Sequence, residues 1–285
     1  MSVQLKEDEF KLLKLYVEQE CGISVTDEKR YLFESRLLEL VNQYNCASFG
    51  EFYLKAKNNV DKALKNQIID AITTHETLWF RDEAPFNILK NHIFPDYIRE
   101  VREGQRQGVK IWSAACSTGQ EPYSIAITVM ETPGRDILQG KVSILASDIS
   151  HGSIQAAQTA RYNNLAISRG LSQQQRDAYF LEEGRTYVLK PDIQNMVQFR
   201  QFNLQSSLDS IGKFDIIFLR NVAIYFSHDF KVELFKKLYR ALNPGGYLFL
   251  GISEQVQAYN QDFMVKQYGR WFCYQRPNSA SNNMS

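Results

Sequence analysis

The second part of the chain consists of short apolar segments separated by helical stretches. Alternation of buried strands with helices is typical of a parallel α/β sheet. Residues 263–267 and 270–275 flank Tyr268-Gly269, and we expect them to form a closing antiparallel hairpin. The core strands are predicted at 109–113, 142–147, 197–202, 214–220 and 247–251, with helices after the first, second and fourth.

The residues before this region follow a helical period. Between residues 8 and 72 the apolar positions recur every three or four residues, as in Phe10, Leu13 and Val17. This pattern predicts an all-helical N-terminal domain over residues 1–73. The other expected boundaries are a connector and lid at 74–108, an α/β domain at 109–276 with a small inserted β-subdomain at 162–196, and a disordered tail at 277–285.

Composition and charge narrow the classes of function. The formal net charge is +1 over 285 residues, and no basic run resembles a nucleic-acid-binding arm, so we expect no nucleic-acid partner. Because no apolar run approaches the roughly 18 to 20 residues of a membrane span and the N-terminus lacks a signal-peptide pattern, we expect no membrane insertion and a cytoplasmic location. The four cysteines and four histidines lack metal-ligand spacing, so we expect no metal site.

Residues 111–125 lead from the first predicted strand through small side chains into a helix. Small residues such as Ala115 and Gly119 let a ligand approach the backbone, which makes both candidate cofactor-binding residues, although such turns also occur without a ligand. Asp148 closes the second strand, where a carboxylate can accept hydrogen bonds from both hydroxyls of a ribose. A helix N-cap is the alternative role for Asp148. The two features together favour a ligand that contains adenosine.

The phosphate-binding motifs of nucleotide sites are missing from this turn. Neither GxGxxG nor GxxxxGK[ST] occurs, and the carboxylate of Glu121 would repel a pyrophosphate. An adenosine ligand that has no phosphate and carries a cationic centre fits better. The turn therefore predicts S-adenosylmethionine (SAM), with S-adenosylhomocysteine (SAH) as the product.

Two further segments are expected to reach the same site. Asn221 and Tyr225 follow the fourth strand and would face the crevice, although a capping asparagine and a half-buried tyrosine would also explain them. Residues 73–81, TTHETLWFR, join the two predicted domains and are called the lid segment below. Hydroxyls, an aromatic pair and an arginine favour a lid over the cofactor, with interdomain packing as the alternative.

Six segments in order resemble the CheR-type chemotaxis receptor methyltransferases, from about residue 8 to residue 276. They are TTHETLWFR, WSAACSTGQEPYSIAI, LASDIS, FNL, FLRNVAIYF and LNPGGYLFLGISE. The resemblance implies a class I SAM-dependent methyltransferase fold (a Rossmann-like α/β sheet) with an all-helical N-terminal domain and a small inserted β-subdomain. It also implies methyl esterification of glutamates on bacterial chemoreceptors.

The resemblance assigns roles to positions in this chain. It places the family's cofactor contacts from the lid segment at His75, Thr77 and Arg81, where His75 replaces the family's asparagine. A neutral imidazole can still donate a hydrogen bond, whereas an imidazolium would be unfavourable beside a sulfonium. It also implies a catalytic part for Arg81 in orienting the substrate carboxylate and for Tyr225 in lining the transfer site. The remaining implied cofactor contacts are Glu121, Asp148, Asn203, Leu204, Asn221 and Val222.

The expected partner is the cytoplasmic helical region of a methyl-accepting chemoreceptor, and nothing in the sequence demands more than a monomer. Some family members grip a receptor C-terminal peptide through the inserted subdomain, but the short turn at residues 182–185 predicts weak or absent peptide binding. Two alternatives stay open. The chain could methylate another signalling protein, or it could bind SAM or SAH without turnover.

Overall fold

The computed structural model describes residues 3–58 and 62–278. The first part of the chain forms four helices: α1 (Glu7–Cys21), α2 (Arg30–Gln43), α3 (Phe49–Asn58) and α4 (Lys62–Ile72). Their apolar faces enclose one core, in which Phe10, Phe33 and Phe52 are almost completely buried. Gly22 ends α1 in the left-handed conformation, and its N–H donates to the Glu18 carbonyl at 2.8 Å. The expected tail at 277–285 lies mostly outside the described residues.

The second part is built on a seven-stranded sheet. In chain order its strands are β1 (Val109–Ala114), β2 (Val142–Asp148), β6 (Val197–Gln201), β7 (Phe214–Leu219), β8 (Leu242–Leu250), β9 (Met264–Tyr268) and β10 (Trp271–Gln275). They lie in the order β6-β2-β1-β7-β8-β10-β9. The first five strands pair in parallel, and β10 is antiparallel to both of its neighbours. The predicted class I methyltransferase fold with a closing hairpin is confirmed.

Helices cover both faces of this sheet. Because successive side chains on a strand point to opposite faces, Ile111 packs into one apolar cluster and its neighbour Trp112 into the other. The first cluster is covered by α5 (Ala84–Ile88), α6 (Phe94–Arg102) and α7 (Gln120–Glu131), and the second by α12 (His228–Ala241). Helix α8 (His151–Thr159) follows β2 and contacts β2, β6 and α4. Because β6, β2, β1, β7 and β8 run parallel, their carboxyl ends lie together at one edge of the sheet.

The fifth strand begins earlier than expected. The sequence predicts this strand at residues 247–251, but β8 already pairs with β7 at Leu242, ahead of Asn243-Pro244-Gly245-Gly246. The register between the two strands then shifts, and regular pairing resumes at Tyr247. The glycines form an irregularity within the strand, because Gly245 takes a positive φ of 78°.

A second, antiparallel sheet is inserted between β2 and β6. It contains β3 (Arg161–Asn163), β4 (Phe180–Glu183) and β5 (Thr186–Leu189) in the order β3-β5-β4, with the short helices α9 (Asn164–Ser168), α10 (Gln173–Tyr179) and α11 (Pro191–Gln194) around it. Within the predicted subdomain at 162–196, only residues 185–189, ahead of Pro191, have a strand pattern that can be recognised in the sequence. Strands of three and four residues, one of them ending in two glutamates, leave too short an apolar pattern to recognise.

Within the described ranges, no helix combines the length and the apolar character that crossing a membrane would need.

Candidate functional site

A cavity of about 1060 Å³, part of it open to solvent, lies at the carboxyl ends of β1, β2, β6 and β7. The lid segment forms another part of its wall. All of the predicted site residues except Gly119 line this cavity: His75, Thr77, Arg81, Ala115, Glu121, Asp148, Asn203, Leu204, Asn221, Val222 and Tyr225.

Gly119 serves helix packing. It precedes α7 with a positive φ of 94°, and a Cβ there would lie 3.0 Å from the Ala157 Cβ and 3.2 Å from the Tyr162 hydroxyl. A glycine therefore allows α7 to begin tightly against α8 and the inserted sheet. Its absence from the cavity wall separates it from the other predicted site residues.

The turns around the cavity are held in an uncommon backbone conformation. Ala115, Ser117 and Asn221 line the cavity with positive φ values of 60°, 49° and 57°. For an alanine or a serine this conformation costs about 1–3 kcal/mol, so the surrounding contacts must enforce it. The strand ends therefore present the backbone to the cavity in a fixed, strained form.

Asp148 is the carboxylate that shapes the turn after β1. Its Oδ2 accepts the Ser117 N–H at 2.8 Å and its Oδ1 accepts the Ser150 N–H at 2.9 Å, and the residue is 8% exposed. Burial raises the pKa of Asp148, while the two backbone N–H groups lower it in part. Each oxygen keeps a second lone pair with which to accept a hydroxyl.

Glu121 and Arg220 form a buried ion pair in the cavity wall. The Glu121 Oε1 accepts the Ser113 hydroxyl at 2.7 Å, and its Oε2 lies 3.0 Å from an Arg220 guanidinium nitrogen. Burial raises the pKa of Glu121, and the charge of Arg220 opposes that rise. The side chain of Arg220 is 1% exposed and also donates to Asp82 Oδ2 at 2.6 Å and to the Arg81 carbonyl at 2.7 Å. Arg220 thus ties the strand end to the lid segment.

The imidazole of His75 is used within the protein. Its Nε2 lies 3.1 Å from the Asp70 carbonyl oxygen and 3.1 Å from the Thr73 hydroxyl, and its Nδ1 lies 2.8 Å from the Ser153 hydroxyl. The His75 carbonyl accepts the Ser117 hydroxyl at 2.8 Å. A hydrogen bond from the imidazole to a cofactor would require one of these ring partners to be exchanged.

Trp79 anchors the lid segment to the inserted sheet. The indole is fully buried, with its ring centroid 4.9 Å from that of Tyr162 and 5.2 Å from that of Phe180. The backbone at Gly170 approaches so closely that a Cβ there would overlap the Trp79 carbonyl. The lid segment and the inserted subdomain are therefore packed together.

The helical part of the chain also supplies cavity wall, which the sequence did not indicate. Cys21 and Ile23 line the cavity, and Ile23 pairs with Phe226 in an isolated antiparallel bridge. The Asn203 side chain donates to the Glu20 carbonyl at 2.7 Å. The Ser24 N–H donates to the Tyr225 carbonyl at 2.8 Å. The end of α1 is thus attached to two of the turns that carry predicted site residues.

The residues that surround the cavity fit SAM. Glu121 and Asp148 supply acidic groups suited to a cationic sulfonium and to ribose hydroxyls, and the left-handed turn at Ala115 and Ser117 brings backbone to the wall. Phosphate-binding glycines are missing from the turn at the carboxyl end of β1.

Family comparisons agree with this geometry. Residues 75–271 match the model described as "CheR methyltransferase, SAM binding domain", and residues 8–73 match "CheR methyltransferase, all-alpha domain". The chain belongs to the CheR methyltransferase family. It is a SAM-dependent methyltransferase.

Curated CheR relatives are similar over almost their whole length. "Chemotaxis protein methyltransferase Cher2" of Pseudomonas putida is 42% identical over 94% of this chain and 97% of the relative. "Chemotaxis protein methyltransferase 1" of Pseudomonas aeruginosa is 40% identical over 91% of this chain and 94% of the relative. "Chemotaxis protein methyltransferase" of Vibrio parahaemolyticus is 41% identical over 92% and 94%.

Proposed function

We propose that the chain transfers the methyl group of SAM to glutamate side chains on the cytoplasmic helical region of a bacterial chemoreceptor. The relatives named as chemotaxis protein methyltransferases support this substrate class. The observation that carries the proposal is that Arg81 and Tyr225 line the same cavity as Asp148 and Glu121. One cavity then holds both the groups suited to the cofactor and the groups suited to an incoming carboxylate.

The transfer needs no general base. Bound SAM supplies an electrophilic methyl group on a sulfonium. A glutamate with an ordinary pKa near 4.3 is ionised at neutral pH, so its oxygen can form the new C–O bond directly while the S–C electron pair passes to sulfur. The protein then has to align the carboxylate and exclude water.

Arg81 is suited to aligning that carboxylate. Among residues 3–58 and 62–278, its guanidinium has one distant hydrogen bond, 3.4 Å to the Glu76 carbonyl oxygen, so its donors are available to a substrate. Tyr225 lies in the turn that the Ser24 N–H holds from the helical part of the chain. In this proposal Arg81 orients the incoming glutamate and Tyr225 lines the transfer site.

The cofactor roles follow from the remaining lining groups. Asp148 accepts the ribose hydroxyls with its free lone pairs, and Glu121 faces the cationic methionine end, with its charge shared with Arg220. Thr77, Ala115, Leu204 and Val222 contribute wall around the ligand. The imidazole of His75 acts mainly on the lid segment, since its ring nitrogens are already engaged.

The test is transfer from radiolabelled SAM to a panel of receptor cytoplasmic fragments. We expect base-labile methyl esters on glutamates with the unaltered chain and none with Asp148→Ala. Asp136→Ala, at an exposed acid away from the cavity, should match the unaltered chain. Labelling of another helical protein but of no receptor fragment would overturn the proposed substrate.

We also propose that this receptor is recognised without a C-terminal peptide tether. Strands β4 and β5 are joined by the two-residue turn Gly184-Arg185, which offers little surface beside the β4 edge. Calorimetry with a receptor C-terminal pentapeptide should detect no binding at micromolar concentrations. Micromolar affinity would refute this part of the proposal.

A further inference from the structure

Glu254 is a buried carboxylate just beyond the end of β8. It is 5% exposed and does not line the cavity. Its Oε2 accepts the N–H groups of Asn221 at 2.7 Å and Gly251 at 2.8 Å. Its Oε1 accepts the N–H groups of Val222 at 3.1 Å and Ile224 at 3.3 Å. One side chain therefore receives four main-chain donors from two separate loops.

Three of these donors belong to the loop that follows β7. Asn221 has a positive φ of 57°, and Val222 has φ −127° and ψ −38°, so the loop departs from regular structure where it reaches the cavity. Asn221, Val222 and Tyr225 all line that cavity. Without Glu254 these three partly buried main-chain donors would lose their acceptor inside the protein, which weakens the hold on the loop.

The fourth donor joins this loop to the end of β8. A Cβ on Gly251 would lie 2.7 Å from the Asn221 side-chain nitrogen and 2.8 Å from the Glu254 Oε2. The Glu254 N–H in turn donates to the Gly251 carbonyl at 2.9 Å. The two loops are thus packed against each other, with the carboxylate between them and no cation among its four hydrogen bonds.

We propose that Glu254 is a positioning residue that fixes residues 221–225 in the conformation required for cofactor binding and methyl transfer. The part that concerns transfer rests on the proposed role of Tyr225. A carboxylate is required because its two oxygens accept all four N–H groups. A glutamine in either amide orientation would turn its NH₂ group towards two of those donors.

The decisive variant is Glu254→Gln, which keeps the size of the side chain. We expect the dissociation constant for SAH to rise about tenfold and kcat at saturating SAM to fall by about the same factor, because the loop carries both cofactor and transfer groups. Glu254→Asp keeps the charge but shortens the reach, and it should give a smaller loss in both quantities. Thermal denaturation should be recorded for every variant.

Asp215 supplies the matched control at the opposite end of β7. It is 6% exposed and accepts the Lys110 N–H at 2.8 Å, the Asn243 amide at 3.0 Å and an Arg106 guanidinium N–H at 2.8 Å. Asp215→Asn should lower the melting temperature without changing SAH affinity. A general loss of stability would instead affect both variants alike.

The outcomes separate this inference from the proposed substrate. SAH affinity and kcat within twofold of the unaltered chain in Glu254→Gln, or equal affinity losses in Glu254→Gln and Asp215→Asn, would overturn the positioning role. If Glu254→Gln does not fold, unchanged SAH affinity and kcat in Glu254→Asp would also overturn it. Failure to methylate receptor fragments despite normal SAH binding would count against the substrate and leave the affinity test of Glu254 standing.

Discussion

The two sides of the cavity are built differently. The strand-end side comprises residues 115–121, Asp148 and residues 220–225, and its buried polar groups are fixed by several short hydrogen bonds. The lid side comprises the lid segment with Cys21 and Ile23. Direct hydrogen bonds join it to the strand end and α7: the Ser117 hydroxyl donates to the His75 carbonyl at 2.8 Å, the Arg220 guanidinium to the Arg81 carbonyl at 2.7 Å, and the Phe80 N–H to the Ser124 hydroxyl at 3.0 Å.

This difference corresponds to two tasks in the proposed reaction: the strand-end side holds the cofactor through Asp148 and Glu121, and the lid side aligns the substrate carboxylate through Arg81. The strand-end side is preorganised, because its strained turns are enforced by carboxylates that do not depend on a ligand. The lid side is held in part by contacts away from the strand ends, from Trp79 to the inserted sheet and from the His75 ring to Ser153 of α8, and Arg220 connects it to the strand-end side through the Arg81 carbonyl. Variants on the two sides should therefore change cofactor affinity, turnover and stability in different proportions.

The largest effect is expected at Arg81, on the lid side. Arg81→Ala removes the guanidinium proposed to orient the substrate carboxylate, and kcat should fall about 100-fold or more while SAH affinity changes less. Methyl transfer to a receptor fragment and SAH calorimetry measure the two quantities. Arg169→Ala is the control, because Arg169 also contacts Glu76, at 3.2 Å, but does not line the cavity. Near-normal turnover in Arg81→Ala would remove Arg81 from the reaction.

The strand-end side was largely visible in the sequence, because its residues follow directly from strand ends. Asp148 closes an apolar run, and Glu121 opens the next helix after a small-residue turn. The role of Arg220 was missed although it lies in a quoted motif, because arginines are mostly exposed and its burial depends on two acids far away in the chain. Gly119 was assigned to the ligand because a sequence pattern does not distinguish close helix packing from close ligand approach.

The contribution of the helical domain could not be read from the sequence. The hydrogen bond from Asn203 to the Glu20 carbonyl joins residues 183 positions apart, and no local pattern encodes such a contact. Helical periodicity predicted that α1 exists, but it does not indicate which end of the helix meets the sheet. The wall formed by Cys21 and Ile23 follows from that tertiary docking.

The pH dependence of SAM affinity should test the proposed cofactor contacts of two carboxylates on the strand-end side. Burial raises the pKa of both Glu121 and Asp148 above the ordinary values of glutamate and aspartate side chains. In the proposed roles the ionised forms of both residues bind the cofactor, so SAM affinity should weaken as the pH falls through the raised pKa values. The decline should begin at a higher pH than ordinary carboxyls would give, and it can reach about tenfold per pH unit for one group.

Calorimetry with SAM between pH 7.5 and pH 5 measures this dependence. Glu121→Gln should remove one part of the slope, at the cost of weaker binding at pH 7.5. Circular dichroism at each pH confirms that the chain stays folded. A constant affinity down to pH 5 would mean that these carboxylates are not protonated in the free protein over this range.

Two variants with a smaller expected loss of SAH affinity should show whether Asn203 contacts the cofactor directly or acts by docking α1. Asn203→Ala removes the bond to Glu20 and a cavity-lining amide, and SAH affinity should fall about fivefold, equivalent to about 1 kcal/mol. Gln205→Ala removes a similar bond, from its amide to the Glu18 carbonyl at 3.1 Å, at a residue that does not line the cavity. Equal affinity losses would assign the effect to docking of α1, and a loss in Asn203→Ala alone would assign it to the cofactor.

The smallest change in affinity is expected at His75, although it lies in the lid segment and lines the cavity. His75→Ala removes the ring contacts to Asp70, Thr73 and Ser153, and the free energy of unfolding should fall by about 1–2 kcal/mol in a urea titration. The His75 carbonyl still accepts the Ser117 hydroxyl, because the main chain is unchanged. SAH affinity at pH 7.5 should therefore change less than about threefold. A tenfold loss of affinity without loss of stability would instead place the imidazole on the cofactor, and the lid side would then bind the cofactor as directly as the strand-end side.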